Sequence, residues 1–470
     1  MRNSSILLFI FLLTLISCQE DFELDEKILN SETSLFAASN SPKKISSTHN
    51  QEILIPTILN THWRDFNSIV DMSDEDIRNT LIVELNTKTS ESISNLQAMS
   101  NLELSNYSLL YTFLNKASIR KPSELRNMSL DDLRNTIIVE NANYLQNQNI
   151  SDLKKLPTEK LVQLGYSWYL PLEFDSLINY SDGKLSKIIS PYKFKLKDNK
   201  GKNMDVLKIA KTNETSKNHF KYLGVYHIGT SNDNYNLQLA GSNDLFNWIH
   251  LIELDHDAHQ GDIIKWGQGY LIAYEEDKHQ GKNNIAFKYY NNYQDLTLNT
   301  SSFRKSIKTS VNDLGVEGTP DIRAVSGTSP MNGNIQIGFH YYDGDIDRIA
   351  MGILKNGINW KAWKDAISEY NLREMNFKGN IGSRKSFLYY ETDLTLQEAQ
   401  LVKGDWSAWK IMLGRDGFYT EVLISTPGGS KSFANPSIVQ TYDDKYAITL
   451  FLPTEGNISS EYNGGMIYVK

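Results

Sequence analysis

The run Asp205-Val206-Leu207-Lys208-Ile209-Ala210 is followed by Tyr222-Leu223-Gly224-Val225-Tyr226-His227-Ile228 and then by Tyr235-Asn236-Leu237-Gln238-Leu239-Ala240. The stretch ends in Ser242-Asn243-Asp244-Leu245-Phe246-Asn247-Trp248. Short β-branched and aromatic runs separated by Gly, Asn, Asp and Ser are strands of a meander. The last segment reads as a tight turn with an aromatic plug behind it. Three or four strands cannot bury both of their faces alone, so this unit must stack on others like it.

The layout recurs down the chain. A second unit holds Gly261–Trp266, Gly269–Glu275 and Asn284–Tyr289; a third opens at Glu317-Gly318-Thr319-Pro320-Asp321 and closes near Trp360 and Trp363. A fourth runs from Gly379-Asn380 to Trp406 and Trp409, and a fifth from Asn435-Pro436-Ser437 to Ile467-Tyr468-Val469. Units spaced by roughly 40 to 60 residues fit blade-type repeats, and five of them predict a five-bladed β-propeller over residues 171–470. Closing the ring would protect strand edges that otherwise invite aggregation.

Asp205-Val206 opening the first unit, Ser242–Trp248 ending it, and Val316-Glu317-Gly318-Thr319-Pro320 opening the third resemble the five-bladed propellers of glycoside hydrolase family 43 and relatives including family 32. The resemblance covers about residues 200–470. It implies an inverting hydrolysis in which one carboxyl group protonates the leaving oxygen and another delivers water. Glu317 would be the general acid and Asp205 the general base. The family's third carboxylate has Asp262 as its nearest counterpart, in Asp255-His256-Asp257-Ala258-His259-Gln260-Gly261-Asp262, where relatives show a Pro-Asp or Pro-Glu step. His259 and Gln260 are candidate partners for sugar hydroxyls, as are Arg323, Asn380 and Asn435. Alternating Asp and His on a strand is a weak ligand pattern, so neither a metal nor a cofactor is expected.

The N-terminus carries an export signal. Arg2 precedes an apolar run, Ile6 to Ile16, too short to span a bilayer comfortably and built like a secretory signal core. Its end, Leu15-Ile16-Ser17-Cys18, resembles the bacterial lipobox, which implies removal of residues 1–17 and lipidation of Cys18, the only cysteine in the chain. The acidic Gln19-Glu20-Asp21 is similar to the surface-export signal of Bacteroidota lipoproteins, implying an outer-membrane anchor facing outward. Residues 18–50, rich in Ser, Asn and charge, read as a tether.

Residues 51–170 have helical character. Met72-Ser73-Asp74-Glu75-Asp76-Ile77-Arg78-Asn79-Thr80-Leu81-Ile82-Val83-Glu84 returns 56 positions later (128 minus 72) as Met128-Ser129-Leu130-Asp131-Asp132-Leu133-Arg134-Asn135-Thr136-Ile137-Ile138-Val139-Glu140. A Ser three residues before an acid is a helix cap, and acids in the first turn suit the helix dipole. The expected architecture is therefore multidomain: a small all-α repeat domain, then an all-β five-bladed propeller. The net charge of −8 (48 basic against 56 acidic residues) argues against nucleic acid as a partner. Three functions fit: a glycosidase, a glycan-binding propeller without catalysis, and an adhesion or assembly protein whose helical part binds another protein.

Overall fold

The structure, a computed structural model, describes residues 72–173 and 193–469 apart from short segments such as 213–218 and 454–463, together with pieces of 53–69 and 180–185. The signal segment, Cys18 and the tether lie outside the described residues.

Four long helices make up the N-terminal part: α1 (Asp74–Lys88), α2 (Asn101–Ala117), α3 (Leu130–Tyr144) and α4 (Thr158–Glu173). Ser73, Ser100 and Ser129 close reciprocal capping boxes with Asp76, Glu103 and Asp132, each cap contributing about 1 kcal/mol. The recurring arginine has a local task in both copies. Arg78 donates to the Met99 carbonyl at 2.6 Å, to the Gln97 carbonyl at 3.1 Å and to Asn101. Arg134 does the same for Thr158 Oγ1 at 2.8 Å and the Leu156 and Lys154 carbonyls. Each guanidinium thus holds the turn before α2 or α4 against the preceding long helix.

Residues 193–469 form five antiparallel four-stranded sheets. Blade I is Asp205–Lys211, Tyr222–Gly229, Tyr235–Ser242 and Ile249–Asp255; blade II is Ala258–Trp266, Gly269–His279, Lys282–Tyr290 and Phe303–Ile307. Blade III comprises Glu317–Gly327, Gly333–Tyr342, Asp347–Lys355 and Asn359–Lys364, and blade IV Ile381–Tyr389, Thr392–Gln400, Trp409–Arg415 and Phe418–Glu421. Blade V takes Ala434–Gln440, Tyr446–Leu452 and Gly464–Val469 from the C-terminus, and its outer strand, Lys193–Phe194, from before blade I. The ring is therefore closed by pairing the two ends of the propeller, a strap that the short Lys193-Phe194 pair gave no periodic signal for.

The first unit folds as its sequence implies. Ser242 Oγ accepts the Leu245 N–H at 2.9 Å, Asp244 Oδ1 accepts those of Phe246 and Asn247, and the buried Trp248 donates its indole N–H to the Leu245 carbonyl at 2.8 Å. The helices do not stand apart from the propeller. One apolar core runs from Leu81, Phe113 and Tyr166 into Leu413, Phe418 and Ile448. Tyr166 stacks on Phe418 with ring centroids 4.7 Å apart, and Gln163 donates to the Tyr419 carbonyl at 2.8 Å.

Candidate functional site: the hub of the propeller

All five inner strands begin with the same irregularity. Pairing slips between Asp205 and Lys208, His259 and Asp262, Gly318 and Asp321, Ile381 and Arg384, and Ala434 and Ser437. At the bulge, Val206, Gln260, Thr319 and Asn435 have φ of 55°, 50°, 43° and 50°, a conformation that costs a non-glycine residue roughly 1–3 kcal/mol. What holds it is a side chain from the second strand of the preceding blade. The Gln260 N–H reaches His227 Nδ1 at 3.4 Å, the Thr319 N–H reaches Glu275 Oε2 at 3.0 Å, and the Asn435 N–H reaches Glu398. Glycine makes the room: a Cβ at Gly318 would stand 2.0 Å from Glu275 Oε2, and one at Gly382 2.1 Å from Glu398 Oε1. Buried acids on the second strands are thus latches between blades.

Register separates the candidate carboxylates along the axis. Asp205 pairs with His227, His259 with Glu275, and Gly318 with His340, so these three inner residues share a level. Glu317 is one residue before that level and Asp262 three beyond it. Asp262 is fully buried; its oxygens lie 2.8 and 2.6 Å from Lys385 Nζ, and one also accepts the Ile322 N–H at 2.8 Å. Lys385 lies 3.7 Å from the equally buried Asp321, which also accepts the Ser386 N–H and hydroxyl. Lys208 adds a second buried ammonium, donating to Pro436 O at 2.6 Å and Ser383 Oγ at 3.0 Å. These groups fill the hub as an ionic plug.

Glu317 is also fully buried. It accepts the Ser310 and Val311 N–H groups, both at 2.7 Å, and the Ser310 hydroxyl. Burial pushes its carboxyl above the usual range although those donors draw it down. Asp205 is partly buried and is likewise pushed up by burial, against the Gly465 N–H. Its Oδ1, the Gln260 Oε1 and the Asn435 Oδ1 are enclosed and have no hydrogen-bond partner among the described residues. They belong to blades I, II and V, three consecutive blades of the ring. Such buried acceptors are unfavourable unless something donates to them.

His259 sits between two carboxylates, with Nε2 3.1 Å from Glu275 and Nδ1 2.7 Å from Asp277. Burial favours the neutral ring, yet Glu275 and Asp277 outweigh it and lift His259 to about 10. Burial would raise Glu275, but the adjacent imidazolium holds it at about 2. His227 is pushed down to about 3 by burial and by the neighbouring His259 charge. His259, Glu275 and Asp277 lie close enough to one another to hold a metal ion. Tyr235 packs at this site, its ring 4.7 Å from His227 and 5.2 Å from His259.

The other candidates fall elsewhere. The Asn380 side chain accepts the Asp347 N–H at 3.1 Å, joining blades III and IV. Arg323, six residues along the strand from Glu317, reaches Met351 and acts on the buried Arg384. Sequence reading passed over His227, Glu275, His340, Glu398 and Lys385. A usable signal was present: Tyr226-His227, Tyr274-Glu275, Phe339-His340 and Gln397-Glu398 each place a titratable residue late in an apolar second strand.

No protein-family model matches the chain, and no curated protein matches it. Among solved structures, the chain is similar to a thermostable family-43 glycoside hydrolase, at 10% identity and a TM-score of 0.37 over 60% of this chain and 91% of that one. It is similar to an endo-arabinase from Bacteroides thetaiotaomicron, at 11% identity and a TM-score of 0.38 over 59% and 96%. An exo-1,5-α-L-arabinanase from a bovine ruminal metagenomic library matches at 10% identity and a TM-score of 0.38 over 59% and 94%. The five-bladed propeller itself stands on the strand pairing of its five four-stranded sheets.

Proposed function

We propose that the chain is a lipid-anchored, outward-facing outer-membrane protein whose propeller binds a glycan without cleaving it. The observation that carries the reading is the arc of enclosed acceptors without a hydrogen-bond partner among the described residues, Asp205 Oδ1, Gln260 Oε1 and Asn435 Oδ1, on blades I, II and V. Sugar hydroxyls are donors that would satisfy such groups. Against cleavage stand Asp262, held by Lys385, and Glu317, held by the Ser310-Val311 backbone. Saturable binding of an oligosaccharide from a glycan panel, with no product released, is the expected result for the full chain. Asp205→Ala should weaken that binding about tenfold or more, since a hydrogen bond to a charged group contributes roughly 1.5–3 kcal/mol. Undiminished affinity in Asp205→Ala would exclude these acceptors on blades I, II and V as the glycan site.

One observation favours hydrolysis as a second reading. The Glu317 carboxyl is raised by burial, as suits a general acid. Product release that disappears in Glu317→Gln with the fold intact would establish it.

The anchor rests on Leu15-Ile16-Ser17-Cys18 alone. Metabolic labelling with palmitate in a Gram-negative host should mark the chain, and Cys18→Ala should abolish the label and move the protein out of the membrane fraction. Label retained by Cys18→Ala would exclude this attachment.

A further inference from the structure

The tryptophans that plug the blades, Trp248, Trp266, Trp363 and Trp409, are buried, whereas Trp406 is 64% exposed. Exposure alone assigns nothing. The place of the ring and the way it is held do.

Blade IV fixes the place. The Gln400 N–H donates to the Asn380 carbonyl at 2.8 Å and the Lys378 N–H to the Leu401 carbonyl at 3.2 Å. The connection 402–408 therefore emerges where the inner strand Ile381–Tyr389 begins. Asp205 and Glu317 stand at that same end of their own inner strands, the mouth of the ring. The Trp406 carbonyl accepts the Ser432 hydroxyl at 2.7 Å. Ser432 precedes Asn435 by three residues, a stretch of at most ~11 Å. One short oligosaccharide can therefore reach from the indole to the enclosed Asn435 acceptor.

The turn holds the ring in position. Asp405 Oδ1 accepts the Ser407 N–H at 2.8 Å and its hydroxyl at 2.6 Å, and the Ala408 N–H closes onto the Asp405 carbonyl at 3.0 Å. Lys403 pairs with Asp345 of blade III, and the Trp409 ring lies 6.4 Å from that of Trp406. A ring already in place loses little freedom when a ligand covers it. Its exposed neighbours on the turn are Lys403, Gly404, Asp405 and Ser407, with Val402 the one aliphatic. A single aromatic face among polar groups is too small for a stable protein interface and lacks the long apolar face of a segment lying on a bilayer. It fits a small ligand with a flat C–H face and hydroxyls at its edge, which describes a pyranose.

On the reading of the hub mouth as a glycan site, we propose that Trp406 is the stacking platform for one sugar ring of the same ligand, an oligosaccharide of pyranose units. The indole carries negative charge density on its face and meets the C–H hydrogens of the sugar. The hydroxyls of the next units donate to the acceptors of blades V, I and II.

Calorimetric titration of the full chain with cellotriose, mannotriose, galactotriose and the furanose control arabinotriose tests it. At least one of the three pyranose trisaccharides should bind saturably and more tightly than arabinotriose. Trp406→Ala should cut that affinity about fivefold or more, Trp406→Leu, apolar but without a π face, should lose as much, and Trp406→Phe should retain most of it. Asp205→Ala separates the platform from the mouth: if it weakens binding while Trp406→Ala does not, the platform is overturned and the glycan site stands. Full affinity in Trp406→Leu, or arabinotriose binding as well as the pyranose sugars, also overturns the platform. So does failure of all three pyranose trisaccharides to bind, and a ligand found in the wider glycan panel would then leave the glycan site itself standing. Unchanged sugar affinity in Trp406→Ala together with lost binding to phosphatidylethanolamine–phosphatidylglycerol vesicles would assign the ring to a lipid surface instead.

Discussion

Lys385→Met is expected to destabilise the propeller by about 3–5 kcal/mol, the cost of removing one partner from a buried ion pair. The lysine is 7% exposed at its side chain and lies against two carboxylates that are wholly enclosed, Asp262 at 2.6 Å and Asp321 at 3.7 Å. Burial alone would favour a neutral amine, yet the two acids hold its pKa above the ordinary lysine value. Methionine fills similar volume but, among the described residues, leaves Asp262 hydrogen-bonded to the Ile322 N–H and Asp321 to Ser386, with the Lys208 charge as their remaining cation nearby. Removing the charge on the other side should restore much of the loss. Asp262→Asn combined with Lys385→Met is therefore expected to be more stable than Lys385→Met alone. Urea unfolding of the two single variants and the double variant measures the coupling directly. A loss below about 1 kcal/mol in Lys385→Met would mean that the hub is held by packing instead, and the description of an ionic plug would be wrong.

The same hub shows which parts of the molecule could be read from the sequence. Strand positions were legible because Tyr222–Ile228 or Ile335–Phe339 place apolar residues against turn residues, and that pattern is local. The capped helices were legible for the same reason, since Ser73-Asp76 and Ser129-Asp132 act within one turn. Partners across the ring were not. Lys385 finds Asp262 over 123 positions, and Glu398 finds Asn435 over 37; neither motif contains its complement. The recurring Arg78 and Arg134 bind chiefly backbone carbonyls, which carry no sequence signature. Resemblance supplied candidate acids for Asp205, Asp262 and Glu317 but not their depth along the axis. That depth follows from the bulge in each inner strand, which sets Asp262 three residues beyond the level of Asp205. At that depth the carboxylate belongs to the core of the wheel and not to its mouth.

His259→Gln should produce a loss of stability that depends on pH in a defined direction. The imidazole has carboxylates on both nitrogens, Glu275 and Asp277, with His227 and Tyr235 packed against its ring. Its folded pKa, about 10, lies above the ordinary value of 6.5. The stability it contributes is therefore complete below about pH 6.5 and is lost as pH rises through about 10. Glu275 works in the opposite sense. It is depressed to about 2 from 4.5, so its contribution is present above about pH 4.5 and is lost as pH falls through about 2. Both contributions are complete together only between about pH 4.5 and 6.5. His227, held down at about 3 by burial and by the His259 charge, weakens the folded state as pH drops below its ordinary value, and it does so less in the variant, which lacks that charge. The difference between parent and His259→Gln should therefore peak near pH 6, at about 3–5 kcal/mol for a buried pair stripped of one member, and shrink to less than half of that by pH 10. Tryptophan fluorescence during urea unfolding at the two pH values provides the comparison. An equal loss at pH 6 and pH 10 would show that the ring contributes by shape alone, and that Glu275 latches Thr319 without help from a charge beside it.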